Sequence, residues 1–385
     1  MTKRRLIALI VAVCAILTLC ACSQTHLEAY NTAAAMDFES AWQKYSPDDV
    51  VCYISGEEVT WQEFFYQIRY FAQLISAADG VTITSWDQPS KSYTDADGHG
   101  LSYGALVMQN AVNTIVQYHA LHSGLTAAGA VLGKEALDSV EAARQSAISQ
   151  NFGGDEAAFL EYLDSMYCTD ALWTWYNQVD ALYAFDGFDT LYGVNGAELS
   201  DEAVMAYAAG DENGAWTEYV QIKQIYLYDE AETAAGEDAA TDEPEEESIA
   251  SRVEAVTAAL DAGDSFDDVY AAYNENPYLD AFPDGRCVYA DDVPEAVYNA
   301  ALEMEEGAYA AVETESGFVF LQKLPIDPDC GVYYDEENDV MYTLRYCAAW
   351  QAYADRINGE NGWIATATRE WTDEFGDMSL KTLFE

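Results

Sequence analysis

The chain has 385 residues, and 68 acidic side chains stand against 16 basic ones, a formal net charge of −52. That balance excludes the basic surface with which a nucleic-acid binder displaces counterions, and it excludes electrostatic steering onto anionic lipid head groups. Half of the residues are apolar and 13% are aromatic, which excludes a disordered chain and leaves material for two or three domains.

Residues 1–21 read as a lipoprotein signal peptide. Lys3, Arg4 and Arg5 precede an apolar run from Leu6 to Leu19. The run suits an export signal and is shorter than the roughly 20 residues that a membrane-spanning helix needs. It ends in Leu19-Cys20-Ala21-Cys22, a lipobox-like sequence in which a small residue precedes an acylated cysteine. Cys22 is therefore the expected lipid anchor; an ordinary signal peptide with an incidental cysteine is the alternative. Removal of residues 1–21 leaves 13 bases against 68 acids, a charge of −55. Residues 22–45 read as a flexible tether. Beyond the anchor remain Cys52, Cys168, Cys287, Cys330 and Cys347. Their odd number and irregular spacing fit neither a disulfide framework nor a C-x-x-C metal pattern. A Cys287–Cys330 bridge and a set of buried free thiols both stay open.

Val50 to Ile54 predicts a strand and Ser55 to Glu58 a turn. Thr60-Trp61-Gln62-Glu63 has the capping-box form and should open a helix, with Phe64, Phe65, Ile68, Phe71, Ala72 and Leu74 at helical spacing. Residues 80–103 read as a loop. Asp95-Ala96-Asp97-Gly98 starts like a calcium loop but lacks the third carboxylate and the distant glutamate. From Gly104 to about Ala209 the pattern is helical. His119 and His122, at i, i+3, are expected on the solvent face. Tyr219 to Leu227 predicts a strand. Residues 229–247 hold ten acids and no base, and read as a solvated insertion. Helices at 249–260 and from Phe266, a strand at 286–290, a helix at 294–302 and a strand at 317–324 follow. The order is β-α-α-β-α-β. From Met341 the pattern is helical again to Gly359.

Two stretches resemble one family. Tyr53 to Phe64, with Ser55-Gly56-Glu57-Glu58 at its centre, resembles the opening of PrsA- and SurA-type extracytoplasmic folding factors. Residues 219–324 resemble a parvulin, the prolyl-isomerase domain found within those proteins. The resemblance runs through Ala262 to Val269, Tyr273 to Pro277, Ala300 to Gly307 and Ser316 to Lys323. It implies an α+β chain in which residues 46–215 and 330–385 form one split, mostly helical chaperone domain. Residues 217–326 would be an inserted parvulin-like β-α-α-β-α-β domain carrying the acidic insertion 229–247.

Rotation about an X-Pro bond faces a barrier near 20 kcal/mol. An isomerase lowers it with an apolar slot for the proline ring and a desolvated polar cluster that favours the twisted amide. The resemblance implies that the catalytic positions, histidine, aspartate and histidine in the family, fall at Gln224, Asn276 and Val319. It implies that the substrate slot falls at Val293, Val297 and Phe318. The histidines of the chain are His26, His99, His119 and His122, none within residues 217–326. The catalytic set is thus degenerate.

Three functions follow as expectations. The first is a membrane-anchored chaperone on the extracytoplasmic face of a bacterial membrane, with a weak or inactive isomerase unit. The second is a working peptidyl-prolyl cis-trans isomerase, the third an envelope scaffold lipoprotein with one dedicated partner. The partners implied are unfolded or folding exported polypeptides and the membrane, through the lipid; a dimer stays open. No cofactor, metal or nucleic acid is implied. An anionic holder would favour basic or neutral clients.

Overall fold

The structure is a computed structural model that describes residues 36–94, 100–210, 218–229 and 248–385. The lipobox with Cys22, most of the tether, the Asp95–Gly98 loop and the acidic run at 230–247 lie outside the described residues. The chain packs as two compact units. One comprises the described residues up to Leu191 together with Ala352–Glu385; the other is Tyr192–Gln351.

The first unit is mostly helical. β1 (Val50–Ile54) and β2 (Glu57–Thr60) form a hairpin closed by Ser55-Gly56. Both turn residues have positive φ, +50° and +86°, the geometry of a two-residue turn that follows the strand twist. The strand at 57–60 replaces part of the expected turn. α1 (Trp61–Ala78) starts at Thr60, whose hydroxyl accepts from the Glu63 amide. The reciprocal half of the expected capping box does not form, because the Glu63 carboxyl group faces His119 instead. Trp61, Phe64, Phe65, Ile68 and Ala72 are buried, and each large side chain so covered contributes roughly 1.5–3 kcal/mol.

Part of the expected loop at 80–103 is a small hairpin, β3 (Pro89–Thr94) and β4 (Gly100–Ser102). Then follow α2 (Tyr103–Ala127), α3 (Lys134–Phe152), α4 (Glu156–Ser165) and α5 (Asp170–Ala181). Side chains of Ser102, Asp155 and Thr169 cap three of these helices, which is why breaks fall where polar residues interrupt the apolar spacing.

The second unit is built on a sheet. α6 (Asp201–Ala208), capped by Ser200, leads to β5 (Val220–Tyr228). α7 (Ile249–Ala262) ends at Gly263 in the left-handed region, and α8 (Phe266–Tyr273) follows. β6 (Arg286–Val288), α9 (Glu295–Glu303), β7 (Tyr309–Thr314) and β8 (Gly317–Leu324) complete the expected β-α-α-β-α-β order, with β7 as an added strand. β9 (Gly331–Asp335) and β10 (Val340–Thr343) extend the sheet to six strands in the order β10-β9-β6-β5-β8-β7. Side chains of β5 alternate between two cores. Val220 and Ile222 pack with Val297, Tyr298 and Ala301 of α9. Ile225 and Leu227 pack with Val256 and Leu260 of α7 and Phe266 and Val269 of α8.

Cys287 and Cys330 form a disulfide, the pairing left open above, and Cys52, Cys168 and Cys347 are buried free thiols. The bridged pair lies in a cluster with Val204, Ala208, Tyr219, Val332, Leu344 and Cys347. That cluster places residues 204–208 and 330–348 within the sheet unit. α10 (Leu344–Asn358) then carries the chain back to the first unit. There β11 (Arg369–Trp371) pairs with β1, Cys52 opposite Trp371, and α11 (Leu380–Phe384) ends the chain. No helix among the described residues is long and apolar enough to cross a membrane.

Candidate functional site

β5 is central to the parvulin-like positions. It pairs with β8 over 221–228, but with β6 only over 220–222. Beyond Ile222 its other edge is taken by a loop. Tyr226 N donates to Asn274 Oδ1 (3.0 Å), Glu275 N to Tyr226 O (3.0 Å) and Tyr228 N to Glu275 Oε2 (2.8 Å). Arg252 closes the row, with Nη2 on Tyr228 O at 2.9 Å and Nη1 on Glu275 Oε1.

That loop positions Asn276. Its side-chain oxygen accepts from Tyr278 N (3.1 Å) and so caps the short 3-10 turn at Pro277–Ala281. The carboxamide is engaged in local architecture at the edge of the sheet. Gln224 stands opposite Leu321, and Val319 opposite Tyr226, two ladder positions apart on β5 and β8. Both side chains face α9. Gln224 is 6% exposed, Val319 and Val297 0%. Val293 is half-buried against the same cluster. Phe318 packs with Phe320, Ile225 and Leu227 against α7 and α8. The fold thus brings Gln224, Val319, Val293 and Val297 to one face, and puts Phe318 on the other. These residues do not line one common slot.

The chemistry available on that face is slight. Tyr298 Oη donates to Glu218 O at 2.7 Å, and Tyr226 Oη is 2.7 Å from Ser316 Oγ. A proline ring seated against Val297 and Val319 would have to displace packed core atoms.

A second cluster, in the helical unit, corrects the expectation for the two histidines. His119, on α2, is 4% exposed rather than solvent-facing. Its Nδ1 is 2.9 Å from Glu57 Oε2 on β2, and its Nε2 is 3.0 Å from Glu63 Oε2 on α1. His122 Nδ1 is 2.8 Å from Glu57 Oε1, and Tyr176 Oη on α5 donates to Glu63 Oε1 at 2.7 Å. The Trp175 ring lies 4.8 Å from the His119 ring. Burial works against the charged imidazole, but hydrogen bonds to Glu57 and Glu63 and their charge outweigh it and hold His119 up at about 9. Burial likewise works against the Glu57 carboxylate, and the two histidines outweigh it and pull Glu57 down to about 2. Burial, then the charge and hydrogen bond of Glu63, push the Tyr176 phenol well above its ordinary value. The cluster ties β2, α1, α2 and α5 together. Among the described residues no group of histidine, cysteine and carboxylate side chains has the arrangement of a metal site.

No family model and no curated protein matches the chain. Among solved structures, it is similar to PrsA from Bacillus subtilis, with 15% identity and a TM-score of 0.26, over 73% of this chain and 91% of that one. It is also similar to the foldase protein PrsA of Streptococcus pneumoniae, with 13% identity and a TM-score of 0.27, over 72% and 90%.

Proposed function

We propose that this chain is a lipid-anchored extracytoplasmic folding factor that holds unfolded exported polypeptides, and that its parvulin-like unit is weak or inactive as a prolyl isomerase. The order of motifs from Tyr53 to Lys323 supports the family, together with a β-α-α-β-α-β path over residues 220–324. The Cys287–Cys330 disulfide supports an oxidising compartment. The helical unit, assembled from both ends of the chain, is the proposed holding domain. The Cys22 lipid is the proposed anchor.

The observation that carries the loss of catalysis is the burial of Val319 and Gln224 in the core under α9. A twisted amide needs a polar cluster that substrate reaches; Val319 offers no polar group, and the Gln224 carboxamide is only 6% exposed. A protease-coupled assay on a proline peptide tests it: the rate should match the uncatalysed one. Acceleration that Asn276→Ala removes would establish an isomerase instead. The holding role is tested by adding the purified protein to an aggregating secreted client. Suppression near stoichiometric amounts is the expected result, and none at excess overturns it. Pull-down of one stoichiometric partner would favour the scaffold function.

A further inference from the structure

Beside β9 the sheet unit has a cleft of about 410 Å³, lined by Pro277, Tyr278, Ala281, Tyr334 and Glu336. Its walls are fixed. Tyr334 N donates to Tyr278 Oη at 3.2 Å, and Tyr334 Oη donates to Asp339 Oδ1 at 2.6 Å. Glu336 is exposed on the β9–β10 turn, and its carboxylate has no ion pair among the described residues. The wall segments are strongly one-signed: residues 274–284 hold three acids and no base, and residues 331–343 four acids and no base.

Two tyrosines and an unpaired carboxylate lining one cleft suit an organic cation, because the ring quadrupole and the carboxylate attract the same charge. The protein already uses this chemistry next door. The Arg286 guanidinium lies 6.0 Å from the Tyr278 ring centre and 5.5 Å from that of Phe282, with Asp292 at 3.7 Å. The cleft volume is at the small end for ligand pockets and suits one long side chain with its attached backbone, not a folded surface.

We propose that this cleft takes a lysine or arginine side chain presented by an extended polypeptide. Tyr334 supplies the aromatic face, Tyr278, Pro277 and Ala281 pack the aliphatic stem, and Glu336 supplies the counter-charge. The choice of a polypeptide rests on the folding-factor function proposed above; the cation specificity rests on the cleft alone.

Fluorescence anisotropy of the purified protein with three labelled peptides tests this. The peptides share a Gly/Ser frame and carry lysine, norleucine or glutamate at the same positions. The lysine peptide should bind best. Tyr334→Ala should weaken it about tenfold, Tyr334→Phe should retain it, and Glu336→Gln should weaken it about threefold. Glu135→Gln, an exposed acid on α3, should change nothing. Equal losses in Glu336→Gln and Glu135→Gln, or none in Tyr334→Ala with an unchanged melting profile, would mean diffuse charge attraction and overturn the proposal. Free lysine amide competing as well as the peptide would make the occupant a small amine and overturn the polypeptide. The client-aggregation assay separates the two ideas. Lack of suppression in the wild type sinks the folding-factor function while leaving Tyr334-dependent peptide binding intact.

Discussion

Glu57 and His119 are 62 residues apart in sequence, yet the carboxylate of the first lies 2.9 Å from the ring of the second. This contact fastens the tip of the β1–β2 hairpin to α2.

The helical unit should lose stability on the alkaline side. His119 binds its proton more tightly folded than unfolded, so its contribution is complete below about pH 6.5 and is lost as pH rises through about 9. Glu57 has the opposite sense: its contribution is complete above about 4.5 and is lost as pH falls through about 2. Melting curves at pH 5.5, 8 and 10 should show a falling midpoint that His119→Gln flattens. The same substitution should cost about 3–5 kcal/mol at pH 6, since it leaves the buried Glu63 carboxyl group without its cation. An unchanged midpoint at pH 10 would show that the clasp does not stabilise the fold.

Asp180 should act in the same sense as His119, at lower pH. Burial raises its carboxyl to about 7, against the hydrogen bond it accepts from Tyr118 Oη at 3.1 Å. A folded value above the unfolded one means that stability falls as pH rises from about 4 to 7. Asp180→Asn keeps the acceptor and should raise the melting midpoint at pH 8 but not at pH 4.

At Gly124, α2 passes directly against the Trp363 ring of the turn of helix at Trp363–Thr366. A Cβ at Gly124 would meet the Trp363 ring at 2.2 Å. Gly124→Ala should destabilise by about 1–3 kcal/mol in urea titrations, whereas Gly129→Ala, with open space around it, should show only the smaller strain of its positive φ.

Val319→His should not restore an isomerase. An imidazole placed in a fully buried apolar site lacks partners and should destabilise the sheet unit by about 1–3 kcal/mol. Proline-peptide turnover should stay at the uncatalysed rate; a gain in turnover would show that the α9 face opens to substrate.

Cys22→Ser should move the protein from the membrane fraction to the soluble fraction of expressing bacteria and abolish incorporation of labelled fatty acid. Retention in the membrane fraction would remove the lipid anchor from the proposed function.

Most elements are legible in the sequence because apolar spacing and caps agree, as at Thr60, Ser200 and Gly263. β7 is harder to see: its inward positions are Ala310, Val312 and Thr314, too small or polar for a strong alternation. β9 and β10 hide between acids and a helical run. The assignment of Phe318 beside Val319 conflicts with the period of two along a strand, which sends neighbours to opposite faces. His119 carries a visible signal, since it follows Ile115 by four residues and so continues the buried stripe of α2. Its partners are invisible locally, because Glu57 and Glu63 reach it only through tertiary packing. The cleft at Tyr334 has no sequence signature either, since the 3-10 turn and β9 meet only in the sheet.

The bridge from Cys287 to Cys330 spans 43 positions and encloses α9, β7 and β8. A protease that nicks the chain once inside that ring leaves the two pieces covalently joined. Clipping at the Glu305–Ala308 turn should therefore go unseen on a non-reducing gel and appear as two bands only after reduction, and a strand so cut would stay beside its partners to re-pair.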